Sequence, residues 1–133
     1  MTALRRTIAA AAVTLVIACG GNSTGPTAGA LTVSLTTPNS GLDGAAIIVL
    51  SGPAVPGSVT PAAGLALWGG PVTAATTTIA LTGTLSTGTI LTIQVEDTKL
   101  AAQYTATLQQ VAASTAPFNL RQPLAGYLLT VAK

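Results

Sequence analysis

The chain has 133 residues, of which 49% are apolar, 6% are charged and 3% are aromatic, and it contains one cysteine and no histidine. One cysteine excludes an internal disulfide and a four-thiolate zinc site, and the lack of histidine excludes the Ser-His and Cys-His pairs of common hydrolases. Disordered chains are poor in apolar residues, and the apolar runs here are shorter than the roughly 20 residues that span a bilayer. These limits predict a small folded domain.

The charged side chains are five basic and three acidic residues. Arg5 and Arg6 lie in an amino-terminal segment that we expect to be removed. The other three basic side chains are balanced by Asp43, Glu96 and Asp97, so the sequence contains no basic cluster of the kind that binds phosphates. We therefore expect no nucleic-acid partner.

The amino terminus has the three-part layout of a secretory signal. Two arginines precede an apolar run from Thr7 to Ile17, and the small residue Ala18 stands ahead of Cys19. The sequence Val-Ile-Ala-Cys-Gly at 16–20 resembles the lipobox of bacterial lipoproteins, in which the chain is cleaved before the cysteine and the cysteine is acylated. The resemblance implies that residues 1–18 are a signal peptide and that Cys19 carries the lipid anchor to the membrane. The alternative is an ordinary signal peptide with an incidental cysteine.

Residues 19–29 are predicted to hold the folded domain near the membrane. The stretch from Gly20 to Gly29 consists of turn formers and small residues, which predicts a flexible linker with a span of about 17 Å. By resemblance to envelope lipoproteins, an aspartate after the cysteine would favour the inner membrane. Because glycine occupies that position, we expect the cell envelope, and specifically the outer membrane, as the location.

From residue 30 to residue 133, short segments of alternating polarity are separated by glycine and proline. Such spacing predicts an all-β, antiparallel β-sandwich, jelly-roll or immunoglobulin-like, with a core of Leu, Ile, Val and Ala. The apolar run 45–51 is predicted to be covered on both faces, and Ser86-Thr87-Gly88 is predicted to close a hairpin. The sequence predicts six to eight short strands. Six are 31–36, 45–51, 77–84, 90–96, 103–111 and 126–132, and the loop 53–70 is expected to hold at most two more, around 57–60 and 65–68.

One segment fits two periodicities. Leu100, Tyr104, Leu108 and Val111 lie near helical spacing, but the Thr-Ala-Thr sequence at 105–107 is poor helix material and favours a strand. We expect the strand.

The order of four segments, 31–35, 91–97, 104–108 and 126–131, resembles cohesin-like β-sandwich modules. That resemblance implies a nine-strand jelly roll that binds a protein or glycan partner. It carries over no site residue.

The acidic side chains are poor candidates for catalysis. Glu96 and Asp97 are adjacent, so on a strand they point to opposite faces and cannot flank one bond. We expect no enzyme activity and no cofactor. Calcium could be held by Asp43 with Asn39, or by Glu96 with Asp97, but Asp43-Gly44 is also an ordinary turn pair and Glu96-Asp97 an ordinary strand exit. Because the regular spacing of a calcium loop is missing, we expect no metal.

Trp68 is the candidate ligand contact, because a tryptophan flanked by glycines can present its ring to a sugar or a protein. The competing interpretation, which we favour from the sequence, places this ring in the core, since aromatic residues dominate burial. The threonine-rich stretch 73–92 is predicted to form a solvated sheet face.

Two functions fit these features. The first is a non-catalytic, lipid-anchored module of the cell envelope that binds a protein or a glycan. The alternative is a structural lipoprotein that stabilises an envelope assembly and recognises no soluble ligand.

Overall fold

A computed structural model of the chain describes residues 24–54, 56–69 and 74–133. The described residues form two antiparallel four-stranded sheets, with the strand orders β3-β6-β1-β8 (the β1 sheet) and β4-β5-β2-β7 (the β2 sheet). The predicted all-β, antiparallel architecture is confirmed. The elements are β1 Gly29–Thr36, β2 Asp43–Ser51, β3 Ser58–Pro61, β4 Ala66–Trp68, β5 Thr76–Leu85, β6 Gly88–Val95, a 3₁₀ helix Thr98–Gln103, β7 Thr105–Ala113 and β8 Leu128–Ala132.

Each of the six predicted strands overlaps one observed strand, and the loop 53–70 holds both of the short strands that were allowed for it. The described residues thus form eight strands, where the cohesin-like resemblance implies nine. The strand pairs are nested along the chain. β1 pairs with β8, β2 with β7, β3 with β6, and β4 with β5. Two further pairings, β1 with β6 and β2 with β5, complete the sheets.

The predicted hairpin between β5 and β6 is wrong, because these two strands lie in different sheets. Leu85 and Ile90, on either side of the connection, are both buried between the sheets. Thr87 in the connection donates its backbone N–H to the Ser40 hydroxyl at 2.9 Å and its own hydroxyl to the Thr37 carbonyl at 3.3 Å. The connection therefore crosses the sandwich and bonds to the turn after β1.

The core lies between the sheets and consists almost entirely of branched aliphatic side chains. Alternate residues of β1, β5 and β6 point inward as predicted, and Tyr104 is the one aromatic side chain among the buried core residues of the described chain. The predicted inward residues that are buried include Leu31, Val33, Leu35, Ile79, Leu81, Leu91, Ile93 and Val95. Burial of these side chains supplies the main stabilisation, at about 25 cal/mol per Å² of apolar surface.

The run 45–51 in β2 is covered on one face only, which corrects the prediction of two covered faces. Ala46, Ile48 and Leu50 are buried in the core, whereas Ile47 and Val49 are half-buried on the outer face of the β2 sheet. In the described chain, no second layer packs on this outer face.

The ambiguous segment contains both a helical turn and a strand. Residues Thr98–Gln103 form a 3₁₀ helix, so the strand begins at Thr105 rather than at the predicted Gln103. In β7, Leu108 faces Ile48 and Gln110 faces the adjacent Ile47, which leaves Gln109 as an extra residue. Such a β-bulge lets residues three apart point to the same face. It explains the near-helical spacing of Leu108 and Val111.

The Tyr104 ring packs directly on the backbone after β2. A Cβ atom built at Gly52 would lie 2.2 Å from Tyr104 Cδ1, far too close for two carbon atoms that are not bonded to each other. Burial of this ring raises the pKa of the Tyr104 hydroxyl, with a further contribution from the negative charge of Glu96. Glycine at position 52 is therefore needed for this contact.

We expect Gly52→Ala to destabilise the fold by about 1–3 kcal/mol, because overpacking forces the ring or the backbone to move. Chemical denaturation measures the change. Gly57→Ala is the matched control, since a Cβ at Gly57 would meet nothing closer than the Gln94 carbonyl oxygen at 3.7 Å. Equal stability of the two variants would contradict the packing of Tyr104 on Gly52.

Candidate recognition surface

Trp68 lies on an exposed edge strand and not in the core, so the favoured sequence interpretation is wrong. Its side chain is 60% exposed, and β4 is one of the two edge strands of the β2 sheet. Alternation along β4 points Leu67 toward the core and therefore turns Trp68 outward. Leu65 and Leu67 are both packed against the core. Their spacing of two residues in the sequence indicates that Trp68 points the other way, whereas the scarcity of aromatic residues favoured a buried ring.

The indole is held over the neighbouring strand. Trp68 Nε1 donates a hydrogen bond to the Thr82 hydroxyl at 2.6 Å. Thr82 lies in β5 opposite Ala66, while Trp68 itself lies opposite Ala80. Since the N–H is already bonded within the protein, the ring surface is the part of Trp68 that remains available for a ligand.

The outer face of the β2 sheet runs from this tryptophan to the other edge of the sheet. The strand registers place Trp68, Ala80, Ile47 and Gln110 in one row across β4, β5, β2 and β7. Ala66, Thr82, Ala45 and Ala112 form the row beside it. The two ends of each row are three strand spacings apart, a distance of about 14 Å.

A shallow depression lies at the far end of this face. It has a volume of about 100 Å³, and the side chains around it include Ala45, Ile47, Gln110, Ala112 and Leu120. Leu120 reaches this edge because it bridges to Ala112 beside β7. Small alanine side chains leave the space open, and Leu120 and Gln110 border it.

This face carries no charge in the part of the chain that the structure describes. Asp43 points into the interior at the start of β2, where Arg121 pairs with it. The other charged side chains of the described residues, Glu96, Asp97, Lys99 and Lys133, follow β6 or β8 in sequence, and both strands belong to the β1 sheet. The threonines at 76, 78, 105 and 107 are exposed beside the two rows, in agreement with the predicted solvated face of β5.

Asp43 is the centre of a buried polar cluster. Its side chain is fully buried, and its Oδ2 accepts hydrogen bonds from the Thr37 hydroxyl at 2.8 Å and the Tyr127 hydroxyl at 2.9 Å. Its Oδ1 accepts from Arg121 Nε at 2.9 Å. The Asn39 side-chain amide donates to the Tyr127 hydroxyl at 2.9 Å. The cluster ties β2 to the turn after β1 and to the segment between β7 and β8.

Sequence reasoning missed the partners of Asp43, because Arg121 and Tyr127 are 78 and 84 residues away along the chain. No local pattern indicates such a pairing. The structure does bring Asn39 near Asp43, as the calcium hypothesis required, but Asn39 points its NH₂ group at Tyr127. Hydroxyl and guanidinium donors occupy the oxygens of Asp43 that a cation would need.

Glu96 and Asp97 lie at the opposite end of β1, about 23 Å from the Asp43 cluster by strand length. Asp97 Oδ1 accepts the backbone N–H of Thr27 at 3.1 Å and that of Lys99 at 3.0 Å. These two hydrogen bonds lower the pKa of the Asp97 carboxyl. Asp97 is thus the cap of the 3₁₀ helix. Among the described residues, no group of three or more Asp, Glu, His or Cys side chains could hold a metal ion.

The end of the predicted linker contacts the domain beside this helix. The Lys99 ammonium donates to the Gly25 carbonyl at 2.6 Å, and the Thr98 backbone N–H donates to the Thr27 carbonyl at 2.7 Å. Cys19 and the predicted signal peptide lie outside the described residues. No helix within the described ranges is long and apolar enough to cross a membrane.

No protein-family model matches this chain, and comparisons with curated proteins and with solved structures find no match either.

Tyr127→Phe should lower the free energy of unfolding by about 1–2 kcal/mol, because Asp43 loses a buried hydrogen-bond donor and Asn39 loses its acceptor. Urea denaturation at neutral pH measures this loss. Tyr104→Phe is the matched control, since the structure assigns the Tyr104 hydroxyl no hydrogen-bond partner among the described residues. A larger loss in the control than in Tyr127→Phe would contradict the role of the Asp43 cluster.

Proposed function

We propose that this chain is a lipid-anchored, non-catalytic protein of the cell envelope that binds a protein or glycan partner through the outer face of the β2 sheet. The observation that carries the proposal is the exposed Trp68 ring, fixed by Thr82 on an uncharged sheet face. Exposed aromatic side chains held in place are typical anchors of recognition surfaces.

The amino-terminal sequence supports the anchor. A charged segment, an apolar run and Cys19 follow one another in the order of a lipoprotein signal. Residues Gly25 and Thr27 contact the domain beside the 3₁₀ helix, where β1 begins. A tether entering at this point leaves the Asp43 end of the sandwich as the end farther from the anchor. We propose the outer membrane as the location, because glycine follows the cysteine.

The absence of catalysis is supported by the positions of the acidic side chains. Asp43 is bonded to three donors in the interior, and Asp97 is bonded to backbone N–H groups. Glu96 lies beside Asp97 but far from Asp43. A general acid and base must both face one substrate bond, and these carboxylates are not arranged in that way.

The nested pairing of β1 with β8, β2 with β7, β3 with β6 and β4 with β5 favours the jelly roll over the immunoglobulin-like arrangement. In a jelly roll, an antiparallel ribbon of paired strands is wrapped into two sheets. We therefore propose the jelly roll as the finer description of the sandwich.

We expect Cys19→Ser to release the protein from membranes, because the acyl chains supply the attachment. Membrane fractionation and incorporation of a labelled fatty acid measure the effect. The control is Ser23→Ala, which changes a nearby linker residue and leaves the cysteine intact. A Cys19→Ser protein that still sediments with membranes, together with a wild type that takes up no fatty acid, would refute the anchor.

Trp68→Ala should change the free energy of unfolding by less than about 1 kcal/mol, as expected for an exposed side chain. Leu81→Ala, which empties a fully buried site, should cost about 2–5 kcal/mol and serves as the comparison. Trp68 is also the single tryptophan of the chain. Its native fluorescence should be readily quenched by acrylamide, and a shielded, blue-shifted emission would contradict the exposed position.

The structural envelope protein remains the competing function, and binding experiments separate the two. A structural protein would co-purify with a large envelope complex regardless of Trp68→Ala. A binding module would lose its partner in that variant while keeping its fold and its membrane attachment.

A further inference from the structure

We propose that the outer face of the β2 sheet binds a neutral polysaccharide chain, which lies across the strands with Trp68 at one end and the depression beside Ala45 and Ala112 at the other. This inference rests on the proposed binding function and names the chemistry of its ligand.

The shape of the face fits an elongated ligand. Trp68 and Gln110 lie at opposite ends of one row, three strand spacings or about 14 Å apart. Ala80 occupies the position next to Trp68, and Ala45 and Ala112 lie in the adjacent row. These short side chains keep the face low beside Trp68 and at its far end, while the half-buried Ile47 lies between Ala80 and Gln110 in the first row. A ligand that passes over Ile47 can contact both the indole and the depression.

The available groups match the surface of a sugar chain. Trp68 can pack its apolar ring surface against the C–H face of a sugar ring, because its N–H is already bonded to Thr82. The exposed hydroxyls of Thr78 and Thr107 and the amide of Gln110 can each both donate and accept hydrogen bonds, which suits a ligand rich in hydroxyl groups.

The lack of charged side chains on this face favours a neutral polysaccharide over a charged one. None of the described charged side chains lies on this face, so a uronic acid or a sulfated sugar would lose its hydration without gaining a cationic partner. A neutral polysaccharide pays no such desolvation cost for a charge.

The composition favours a glycan over a protein partner. Energetically dominant residues of protein interfaces are mostly Trp, Tyr and Arg, whereas Thr and Val are under-represented. Trp68 is the one residue of the first kind on this face, and threonine and alanine surround it.

The test uses the full-length lipidated protein in a detergent without sugar groups, so that only the added glycan can occupy the face. Neutral β-glucan and α-glucan oligosaccharides are titrated while the fluorescence of Trp68 is recorded, with polygalacturonate as the charged comparison. We expect saturable protection from acrylamide quenching by a neutral glycan, with an affinity about tenfold or more above that for polygalacturonate.

Variants at the two ends of the face make the test specific. Trp68→Ala should weaken binding about tenfold or more, measured by calorimetry, and Trp68→Phe should retain most of the affinity. Ala45→Arg should also weaken binding about tenfold or more while leaving Trp68 fluorescence readable, because it fills the depression. Ala30→Arg is the matched control, since Ala30 is exposed on the outer face of the β1 sheet.

Failure of every neutral glycan to protect Trp68 would overturn the proposal, as would equal weakening by Ala45→Arg and Ala30→Arg. A photo-crosslinker at Gln110 that captures a protein, with capture lost in Trp68→Ala, would show a protein interface and refute the glycan ligand. That last result would leave the proposed binding function standing, and membrane attachment through Cys19 is measured separately.

Discussion

Alternate burial of branched aliphatic side chains is the constraint on which this sandwich depends. The sequence has a single cysteine and very few aromatic residues, so stabilisation must come from many contacts between Leu, Ile and Val. Leu31, Leu81 and Ile93, for example, are each almost completely removed from solvent in the core shared by both sheets. Every strand must therefore turn one face inward, and this requirement decides which side chains remain on the outside.

The Asp43 cluster holds together the connections between strands at one end of the sandwich. Nested pairing sends most connections from one sheet to the other, and the strand alternation does not fix the path of these connections. Asp43 accepts hydrogen bonds from Thr37 in the connection after β1 and from Arg121 and Tyr127, which both lie in the segment between β7 and β8. A buried carboxylate is costly unless it is paired in this way. The cluster therefore fixes the path of these connections, in which no alternation of apolar residues determines which side chains point inward.

The recognition surface follows from the same alternation. Because Leu67 packs toward the core, Trp68 must face outward, and its hydrogen bond to Thr82 then holds the ring over β5. On the neighbouring strands, Ile47 and Val49 are half-buried on the outside because Ile48 and Leu50 occupy the core. Once one side of each strand is buried in the core, the outer face of the β2 sheet is left uncharged, with the Trp68 ring fixed on it.

The sequence by itself determined the places of the six longer strands and the inward residues of β1, β5 and β6, because alternation with a period of two is a local property of the chain. It could not determine that Ser86-Thr87-Gly88 crosses between sheets, since a short turn of this kind looks the same in a hairpin and in a crossing. The bulge at Gln109 is visible in the pairing with β2 and not in the spacing of Leu108 and Val111. The pairing of Asp43 with Arg121 and Tyr127 and the bond between Trp68 and Thr82 were decided by the tertiary structure alone, because those contacts join residues of different chain segments.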